Sequence, residues 1–415
     1  MGKRKILMLS DHALSTSGVG CQSRFLIDGL VKKGTWSVRQ FGAAIKHSNY
    51  DVVKVSEDFV IKPEDGFGNP DMLRQTLAIE RPDVLFLFTD PRFFTWVWEM
   101  EDEIHQVCPI AYWHVWDNLP VPKFNQVLYD STDLINCHSH LTYRFVSEMF
   151  PERTNFIPHA LPPELFRPLG SRAELKDVKS QMLGENRKDH FVLFWVNRNA
   201  KRKRPNDLLW AWQLFMKMLE ERHGKSDATL LLHTQPDDQE GPNLRATSEM
   251  LGISDSIVFS PDRVDFERMN LMHNISDAVI NVSYAEGFGL STLEAMQCGK
   301  PIIAMKTGGL TRQVVDHRDG TENGFGLPVE MQSMVGSQSV PYIYEDYCSA
   351  QTTAEAILKM YELGEEGRDE LGQKAMAYAH SEFSLQDTVD SWDSTLNDLV
   401  DNWRSRYQPW HMEEM

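Results

Sequence analysis

The sequence has few cysteines and no long apolar run, and both absences narrow the class of protein. It holds only five cysteines in 415 residues, widely scattered and never spaced as C-x-x-C. An odd, dispersed set predicts reduced thiols rather than a disulfide framework or a zinc ribbon. No run reaches the roughly 18 to 20 apolar residues that span a bilayer. The apolar residues that follow the first lysines are too few for a signal peptide. We therefore predict a cytoplasmic protein.

Positive charge is also scarce in this chain. Its 42 Lys and Arg residues face 60 Asp and Glu residues, which gives a formal net charge of −18. This surplus of acid argues against nucleic acid as the main partner, and it does not support membrane association, which a local basic patch could still provide. With 41% hydrophobic residues at this length, we predict two domains, each with its own core.

Short apolar runs alternate with segments of helical length in two successive parts of the chain. Near-continuous apolar runs are typical of parallel strands that are buried on both faces. They occur at residues 6–9, 84–88, 110–113 and 134–137, then at 191–196, 229–233, 257–259, 278–282 and 301–304. We predict two doubly wound α/β domains, 1–170 and 185–383. Proline and charge in residues 157–189 predict a linker with little regular structure.

The end of the chain predicts one long helix. After Ser384, a suitable helix cap, apolar residues recur every three or four positions: Leu385, Val389, Trp392, Leu396, Val400 and Trp403. This single apolar stripe predicts a helix over about 384–407 that packs along an extended surface.

The strongest candidate for a binding site follows the predicted strand at 278–282 and reads E-G-F-G-L-S-T-L-E. Ligands of open α/β sheets bind at such loops. Gly287 and Gly289 allow close backbone approach, and the helix that starts near Leu290 offers free N–H groups to a diphosphate. Glu286 precedes this helix and Glu294 lies within it, so both carboxylates can face one ligand.

A second candidate is basic and follows the predicted strand at 191–196, where the chain reads N-R-N-A-K-R-K-R-P. The Arg198 guanidinium can donate two hydrogen bonds to phosphate oxygens, and Lys203 adds a compact charge that stabilises a leaving diphosphate. Lys201 or Arg202 could take the place of Lys203. A solvated basic surface loop is the alternative interpretation.

Together these motifs resemble the retaining glycosyltransferase family four, which has the GT-B fold: two Rossmann-like domains that face each other across a cleft. Its signature of two glutamates flanking seven residues is matched by Glu286, Gly287, Phe288, Gly289, Glu294, Ala295, Met296, Gly299 and Pro301. The resemblance implies that Glu286 contacts the transferred sugar and Glu294 the ribose, and that Gly287, Phe288, Gly289 and Leu290 also bind the donor. In the basic motif, Asn197 and Arg204 stand where the family has glycines.

Three further motifs gain a role through the same resemblance. Gly18 and Gly20 correspond to the family's N-terminal glycine loop near the donor phosphate, although Ser23 stands at the third glycine of a dinucleotide fingerprint. His114 corresponds to a histidine whose ring or backbone lies beside the transferred sugar, with Asp117 as its neighbour. Another pair, Gly308 and Gly309, corresponds to a donor-binding loop, in which Arg312 and Gln313 occupy the place of the family's glutamate.

The sequence contains no D-x-D triplet, the diphosphate–metal motif of the other major glycosyltransferase fold. We therefore predict no bound metal and no cofactor, with Glu286, His114, Arg198 and Lys203 as the catalytic set. The predicted reaction moves a hexosyl unit, with retention, from a nucleotide diphosphate sugar to a hydroxyl of a glycan, a lipid or a small molecule. A nucleotide-sugar epimerase or hydrolase and a non-catalytic nucleotide-sugar-binding protein remain open alternatives. An NAD-dependent oxidoreductase is disfavoured by the failed fingerprint.

Overall fold

A computed structural model describes residues 2–116 and 118–406. Backbone contacts divide the chain into two units, each with its own parallel sheet. Among the described residues, unit 1 contains 2–160 without 117, 336–342 and 383–406, and unit 2 contains 161–335 and 343–382. The predicted fold class, α/β with two parallel sheets, is confirmed.

Unit 1 is built on an eight-stranded sheet. Its strands are β1 (Arg4–Asp11), β2 (Trp36–Ala43), β3 (Val53–Lys54), β4 (Phe59–Pro63), β5 (Val84–Thr89), β6 (Ile110–His114), β7 (Leu134–Cys137) and β8 (Thr154–Phe156). The order is β3-β4-β2-β1-β5-β6-β7-β8, and every neighbouring pair is parallel except β3 with β4. The four strands predicted in this half are present, while β2, β3, β4 and β8 were not predicted.

The helices of unit 1 cover both faces of this sheet. They are α1 (Gly18–Lys32), α2 (Pro70–Glu80), α3 (Thr95–Trp98), α4 (Glu101–Ile104), α5 (Gln126–Asp130) and α6 (His140–Met149). One apolar cluster includes Ile27 of α1 and Phe86 of β5, and a second includes Leu73 of α2 and Leu87 of β5. Because successive strand residues point to opposite faces, β5 contributes to both cores.

Unit 2 is built on a six-stranded parallel sheet and a separate antiparallel hairpin. The sheet consists of β9 (Phe191–Val196), β10 (Ala228–His233), β11 (Ile257–Ser260), β12 (Ala278–Asn281), β13 (Ile302–Met305) and β14 (Gly324–Leu327). Its order is β11-β10-β9-β12-β13-β14. The hairpin pairs β15 (Met331–Val335) with β16 (Ile343–Tyr347), and nothing in the sequence pattern had predicted it.

Helices connect the strands of unit 2. They are α7 (Arg172–Leu183), α8 (Pro205–His223), α9 (Leu244–Met250), α10 (Phe266–Ile275), α11 (Leu290–Gln297), α12 (Thr311–Val314), α13 (Ala350–Glu362) and α14 (Gly364–Glu382). The prediction of little regular structure up to residue 189 is wrong, because α7 lies within that segment. Ser171 and Glu174 form a reciprocal capping box at its start, which satisfies backbone N–H groups that the first turn leaves free.

The predicted final helix is present as α15 (Leu385–Arg406), and the predicted end at residue 407 lies outside the described residues. Its apolar stripe packs in the core of unit 1, where the Trp392 ring lies 4.9 Å from that of Phe86. The Trp36 indole also donates a 2.7 Å hydrogen bond to Asp393. Gly29 of α1 lies against Val389, so close that an added methyl group would contact it at 2.4 Å.

Candidate donor-binding site

Three loops of unit 2 leave the carboxyl ends of the neighbouring strands β9, β12 and β13. We name residues 197–204 the basic loop, 282–289 the glutamate loop and 306–310 the diglycine loop. Because parallel strands end at the same edge of the sheet, these loops lie side by side, at the position where open α/β sheets bind ligands.

The basic and glutamate loops are joined by a buried ion pair. The Lys203 ammonium contacts the Glu286 carboxylate, and their side chains are only 9% and 13% exposed. Two backbone contacts support the pair: the Tyr284 N–H donates to the Arg202 carbonyl at 3.2 Å, and the Arg202 guanidinium donates to the Ala285 carbonyl at 3.4 Å. The predicted lysine and glutamate are therefore brought together.

The electrostatics of this pair keep the glutamate ionised. Burial opposes the charged form of Glu286, but the nearby positive charges of Lys203 and Arg202 outweigh it and hold its pKa below the ordinary value of 4.5. A carboxylate that stays ionised can accept hydrogen bonds from sugar hydroxyls or face a developing positive charge.

The structure distinguishes among the three cations that the sequence left open. Lys203 is buried and faces Glu286, whereas the side chain of Lys201 is exposed. Arg202 is also exposed, but its guanidinium bonds the Ala285 backbone. Among these three side chains, Lys203 is the one held directly against the glutamate.

Arg204 occupies a position where glycosyltransferase family four, which the chain resembles, has glycine. The backbone of Arg204 adopts a glycine-like conformation. Its φ of +54° lies in the left-handed region, which costs a non-glycine residue roughly 1 kcal/mol or more. The guanidinium donates to Asp207 at 2.9 Å and to the Cys348 carbonyl at 3.2 Å, and it lies 4.7 Å from the centre of the Tyr347 ring. These contacts hold the basic loop in the turn despite the missing glycine.

Arg198, the other predicted cation, is held by acids that the sequence motif did not include. Its side chain is 60% exposed and pairs with Asp238 at 3.1 Å and Glu240 at 2.9 Å. The pKa of Arg198 is raised above its ordinary value, and the hydrogen bond to Asp238 is the largest cause. Both acids lie in the loop after β10, next to β9 in the sheet, so adjacency at the sheet edge is the signal that points to them.

The glutamate loop ends at the amino terminus of α11. Gly289 has a φ of +90° and, as the residue before Leu290, provides no side chain to cap the helix. Gln313 supports the loop by donating to the carbonyls of Phe288 at 2.7 Å and Gly289 at 3.1 Å. The fully buried Gln313 side chain, at the place of a family glutamate, thus serves the backbone of this loop.

The diglycine loop lies directly against the glutamate loop. The Gly309 N–H donates to the Glu286 carbonyl at 3.0 Å. A methyl group on Gly309 would come within 2.3 Å of the Gly287 carbonyl oxygen, so this close approach requires glycine. Gly308 adopts a φ of +47°. The two predicted glycines thereby fix the backbone around Glu286.

Glu294 faces a buried histidine from α10. Its carboxylate lies 3.0 Å from Nε2 of His273, a side chain with no exposed surface, and is itself 16% exposed. The Nδ1 atom of His273 is buried with no hydrogen-bond partner among the described residues. His273 was not predicted, because a histidine on a helix carries no motif. It fixes one side of the carboxylate that the resemblance assigns to ribose.

In unit 1, His114 is fully buried at the end of β6. Its Nδ1 accepts the Trp116 N–H at 3.1 Å, and its Nε2 lies 2.7 Å from the Tyr129 hydroxyl. Burial lowers the pKa of His114 to about 3, so the ring is neutral at physiological pH. Both nitrogens are engaged and no edge is exposed, so the ring has no free group to offer a sugar in this structure. Asp117, its predicted neighbour, lies outside the described residues.

The N-terminal loop also belongs to unit 1. Gly18 is exposed at the start of α1, and Ser17 caps this helix by accepting the Gly20 N–H at 3.0 Å. The Ser17 hydroxyl donates to Asp11 at 2.6 Å. Gly20 lies so close to the turn that an added methyl would contact the His12 carbonyl oxygen at 2.7 Å. Tight packing of the turn is therefore one reason for glycine at position 20.

Within residues 2–116 and 118–406, no three His, Cys, Asp or Glu side chains are grouped as a metal site would require. In the same residues, no helix is both long and apolar enough to cross a membrane.

Solved structures define the class of this fold. Sucrose-phosphate synthase from Thermosynechococcus elongatus superposes with a TM-score of 0.73 at 18% identity, over 96% of this chain and all of the other. HepE from Anabaena, solved with UDP and glucose, superposes with a TM-score of 0.69 at 18% identity, over 95% and 100%. These likenesses show the fold, which is GT-B, as predicted.

Just under half of the chain matches a known protein family. Residues 177–377 match the family described as glycosyl transferases group 1. This segment carries the basic, glutamate and diglycine loops, and its match confirms the predicted resemblance to family four.

Curated relatives match less than half of the chain. D-inositol 3-phosphate glycosyltransferase from Segniliparus rotundus is 28% identical over 203 residues, 48% of this chain and 41% of the relative. D-inositol 3-phosphate glycosyltransferase 2 from Catenulispora acidiphila is 30% identical over 172 residues, 41% of this chain and 39% of the relative. The matched segment thus spans about two fifths of the length of these relatives.

Proposed function

We propose that this protein is a retaining glycosyltransferase that moves a hexosyl unit from a nucleotide diphosphate sugar to an acceptor hydroxyl. The observation that carries the proposal is the buried contact between Lys203 and Glu286 at the carboxyl edge of the second sheet. It places a cation and an ionised carboxylate side by side, as a ligand with an anionic diphosphate and a neutral sugar requires. The group 1 match over this segment supports the same reaction class.

The donor is proposed to lie across the three loops of unit 2. Its diphosphate accepts hydrogen bonds from the first turn of α11, because free N–H groups and the helix dipole favour an anion there. Lys203 and Arg198 add positive charge, each after exchanging its present carboxylate contact for phosphate. Glu286 then accepts sugar hydroxyls, and Glu294, held by His273, accepts the ribose hydroxyls.

The proposed chemistry follows from where charge develops. As the glycosidic bond lengthens, negative charge grows on the diphosphate, and Lys203 and Arg198 stabilise it. Positive charge grows on the sugar, which the Glu286 carboxylate faces. The acceptor hydroxyl attacks from the face that the diphosphate leaves, and the leaving phosphate takes its proton, so the anomeric configuration is retained. These cations would take the role of a metal, and we propose metal-independent transfer.

The acceptor is proposed to be a hydroxyl of a glycan, a lipid or a small molecule, and the residues of unit 2 do not select among them. A cytoplasmic setting is supported by the five cysteines, none of which forms a disulfide within the described residues. The ring of His114 has no direct contact with the sugar in this proposal, because it is buried and bonded within unit 1.

The test starts with donor binding. UDP-, GDP- and ADP-sugars are compared for thermal stabilisation, since a ligand that binds only the folded state raises the melting temperature. UDP-glucose is the first choice, because HepE was also solved with UDP-glucose. We expect at least one donor to stabilise the wild type and not Lys203→Met. Stabilisation by none of them would contradict the proposal.

Product analysis then identifies the reaction. The stabilising donor is incubated with a panel of sugar, sugar phosphate and lipid acceptors, with EDTA or with Mg²⁺, and the product is examined by NMR. We expect transfer with retained configuration at equal rates in both conditions. Release of free sugar in an amount that added acceptor does not reduce would indicate a hydrolase. Binding without turnover would indicate a non-catalytic protein.

A further inference from the structure

The hairpin β15–β16 lies outside the parallel sheet of unit 2, yet its second strand contacts the loops of the donor site. We name residues 343–348, which are β16 and the residue after it, the brace strand. Its contacts reach the basic loop, the glutamate loop and the diglycine loop.

Asp346 connects the brace strand to two of these loops. Its backbone N–H donates to the Tyr284 carbonyl at 3.0 Å. Its carboxylate accepts the Thr307 hydroxyl at 2.5 Å through one oxygen and the Gln332 amide at 2.7 Å through the other. Thr307 directly precedes Gly308 and Gly309, so this side chain holds the start of the diglycine loop.

The third loop is held through Arg204. Its guanidinium donates to the Cys348 carbonyl and lies over the Tyr347 ring, and its side chain is only 7% exposed. The Tyr347 ring also lies 5.7 Å from that of Tyr284 in the glutamate loop. Because residue 204 holds a left-handed backbone that glycine would adopt more readily, these contacts provide the compensation for a charged side chain at this position.

We propose that the brace strand fixes the donor loops in the arrangement that binds a nucleotide diphosphate, with Asp346 and Arg204 as positioning residues. Loops that are ordered before binding lose less conformational entropy when the ligand arrives, so affinity rises without any new contact to it. This inference rests on the proposed function for its ligand, while the ordering of the loops is a property of the free protein.

Asp346→Ala tests the brace in the free protein. It removes the contact to Thr307, and amide hydrogen exchange in residues 306–310 is expected to accelerate by about tenfold, because a bond to a charged group is lost. Thr307→Val removes the same bond from the other side and is expected to have the same effect. Gln332→Ala is the matched control, since it removes the other bond to the same carboxylate and leaves that of Thr307 in place.

Nucleotide affinity provides the second measurement, with UDP as the probe in titration calorimetry. We expect Asp346→Ala and Thr307→Val to weaken UDP binding by about tenfold, and the double variant to be no weaker than either single one. Asp346→Asn keeps an acceptor oxygen and is expected to restore most of the affinity. In turnover, the two loss variants should raise KM for the donor more than they lower kcat.

The outcomes separate the brace from the proposed function. Unchanged exchange in residues 306–310 of Asp346→Ala would overturn the brace, whatever the wild type binds. Equal weakening of UDP binding by Gln332→Ala would also overturn it, because general loosening of the hairpin would then be the cause. If neither UDP nor any other nucleotide binds the wild type but exchange accelerates as expected, the proposed function fails while the ordering role stands.

Discussion

The polar side chains at the carboxyl ends of the two sheets are held in opposite ways. At the end of β6 in unit 1, His114 is bonded to the Trp116 backbone and to Tyr129, with no exposed surface. After β9 and β12 in unit 2, Lys203 and Glu286 contact each other and retain some exposure. Both sets follow buried strands, and both were predicted as functional from their position in a motif.

The difference indicates which groups can serve a ligand. Because Lys203 and Glu286 lie on separate loops, Lys203 can exchange the carboxylate for a phosphate and stay paired with an anion, while the carboxylate accepts sugar hydroxyls. A neutral ring that holds a backbone N–H and a tyrosine hydroxyl cannot turn away without leaving buried polar groups unpaired. We therefore propose that donor chemistry lies in unit 2 and that the ring of His114 has a structural role. Four variants test this difference between the two sheets.

The largest effect is expected for Glu286→Gln. The change keeps the shape of the side chain but removes the charge that faces the developing positive centre, so kcat should fall by about 10²–10³-fold. The change also removes the negative charge that pairs with the buried Lys203 ammonium, so the melting temperature is expected to fall, and kcat is measured at a temperature where the variant is folded. Glu249→Gln, at an exposed position of α9, is the matched control. Full activity of Glu286→Gln would move the site elsewhere.

Lys203→Met is expected to lower kcat/KM by about 100-fold, because the leaving diphosphate loses a cation placed beside it. Lys201→Met removes an exposed lysine two residues away, and we expect a change of less than about threefold. Initial rates over a range of donor concentrations measure both. Equal losses in the two variants would show that the loop acts through its total charge rather than through Lys203.

Arg198→Ala should reduce kcat/KM by about 30-fold. The effect is smaller than that of Lys203, because this side chain is 60% exposed and solvent weakens its interaction with phosphate. Arg222→Ala, an exposed arginine that is also paired with a glutamate, controls for loss of surface charge. The same steady-state kinetics apply, and an unaltered value for Arg198→Ala would remove this residue from the donor site.

The smallest effect on donor binding is expected for His114→Gln, whose influence is on stability. Because the pKa of His114 is about 3 in the folded chain and 6.5 is its ordinary value, the unfolded chain binds a proton between these values that the folded chain does not. The stabilising contribution of the neutral His114 ring is therefore complete above pH 6.5, and it is lost as the pH falls below that value.

Urea unfolding at pH 7 and pH 5 measures this effect. We expect His114→Gln to cost about 1–3 kcal/mol at pH 7, and the gap to the wild type to narrow by about 1–2 kcal/mol at pH 5. Nucleotide affinity should remain within about twofold. A loss of affinity as large as that of Lys203→Met would contradict the proposed difference in function between the two sheets.

Five of the six sheet strands of unit 2 could be predicted because each is a nearly continuous apolar run, whereas β14, which reads G-F-G-L, was not predicted. All five predicted strands of this sheet are present, within two residues at each end. The strands of unit 1 were harder to predict: β2 contains Ser37, Arg39 and Gln40, and these interrupt its apolar pattern. For α7, the helix-forming composition of R-A-E-L-K-D-V-K-S-Q-M-L was a better guide than its charge.

Part of the candidate site could be predicted from local motifs, since Glu286, Arg198 and Lys203 follow strands that end at one edge. The side chains that hold Arg198, Glu294 and Thr307 could not. Asp238, His273 and Asp346 come from a loop, a helix and a hairpin that are distant in sequence from the residues they hold. Such contacts depend on strand order and on how elements pack, and no spacing along one chain encodes them.

By itself, the sequence determined the α/β class, the apolar strands and long final helix, and the glycine and glutamate signature of the second half, because local periodicity and backbone freedom are written in consecutive residues. Tertiary structure alone decided which of three neighbouring cations contacts Glu286, that His114 lies in the core, and that β16 holds the loops. Burial and pairing depend on residues far apart in the chain, and these become neighbours only when the sheets form.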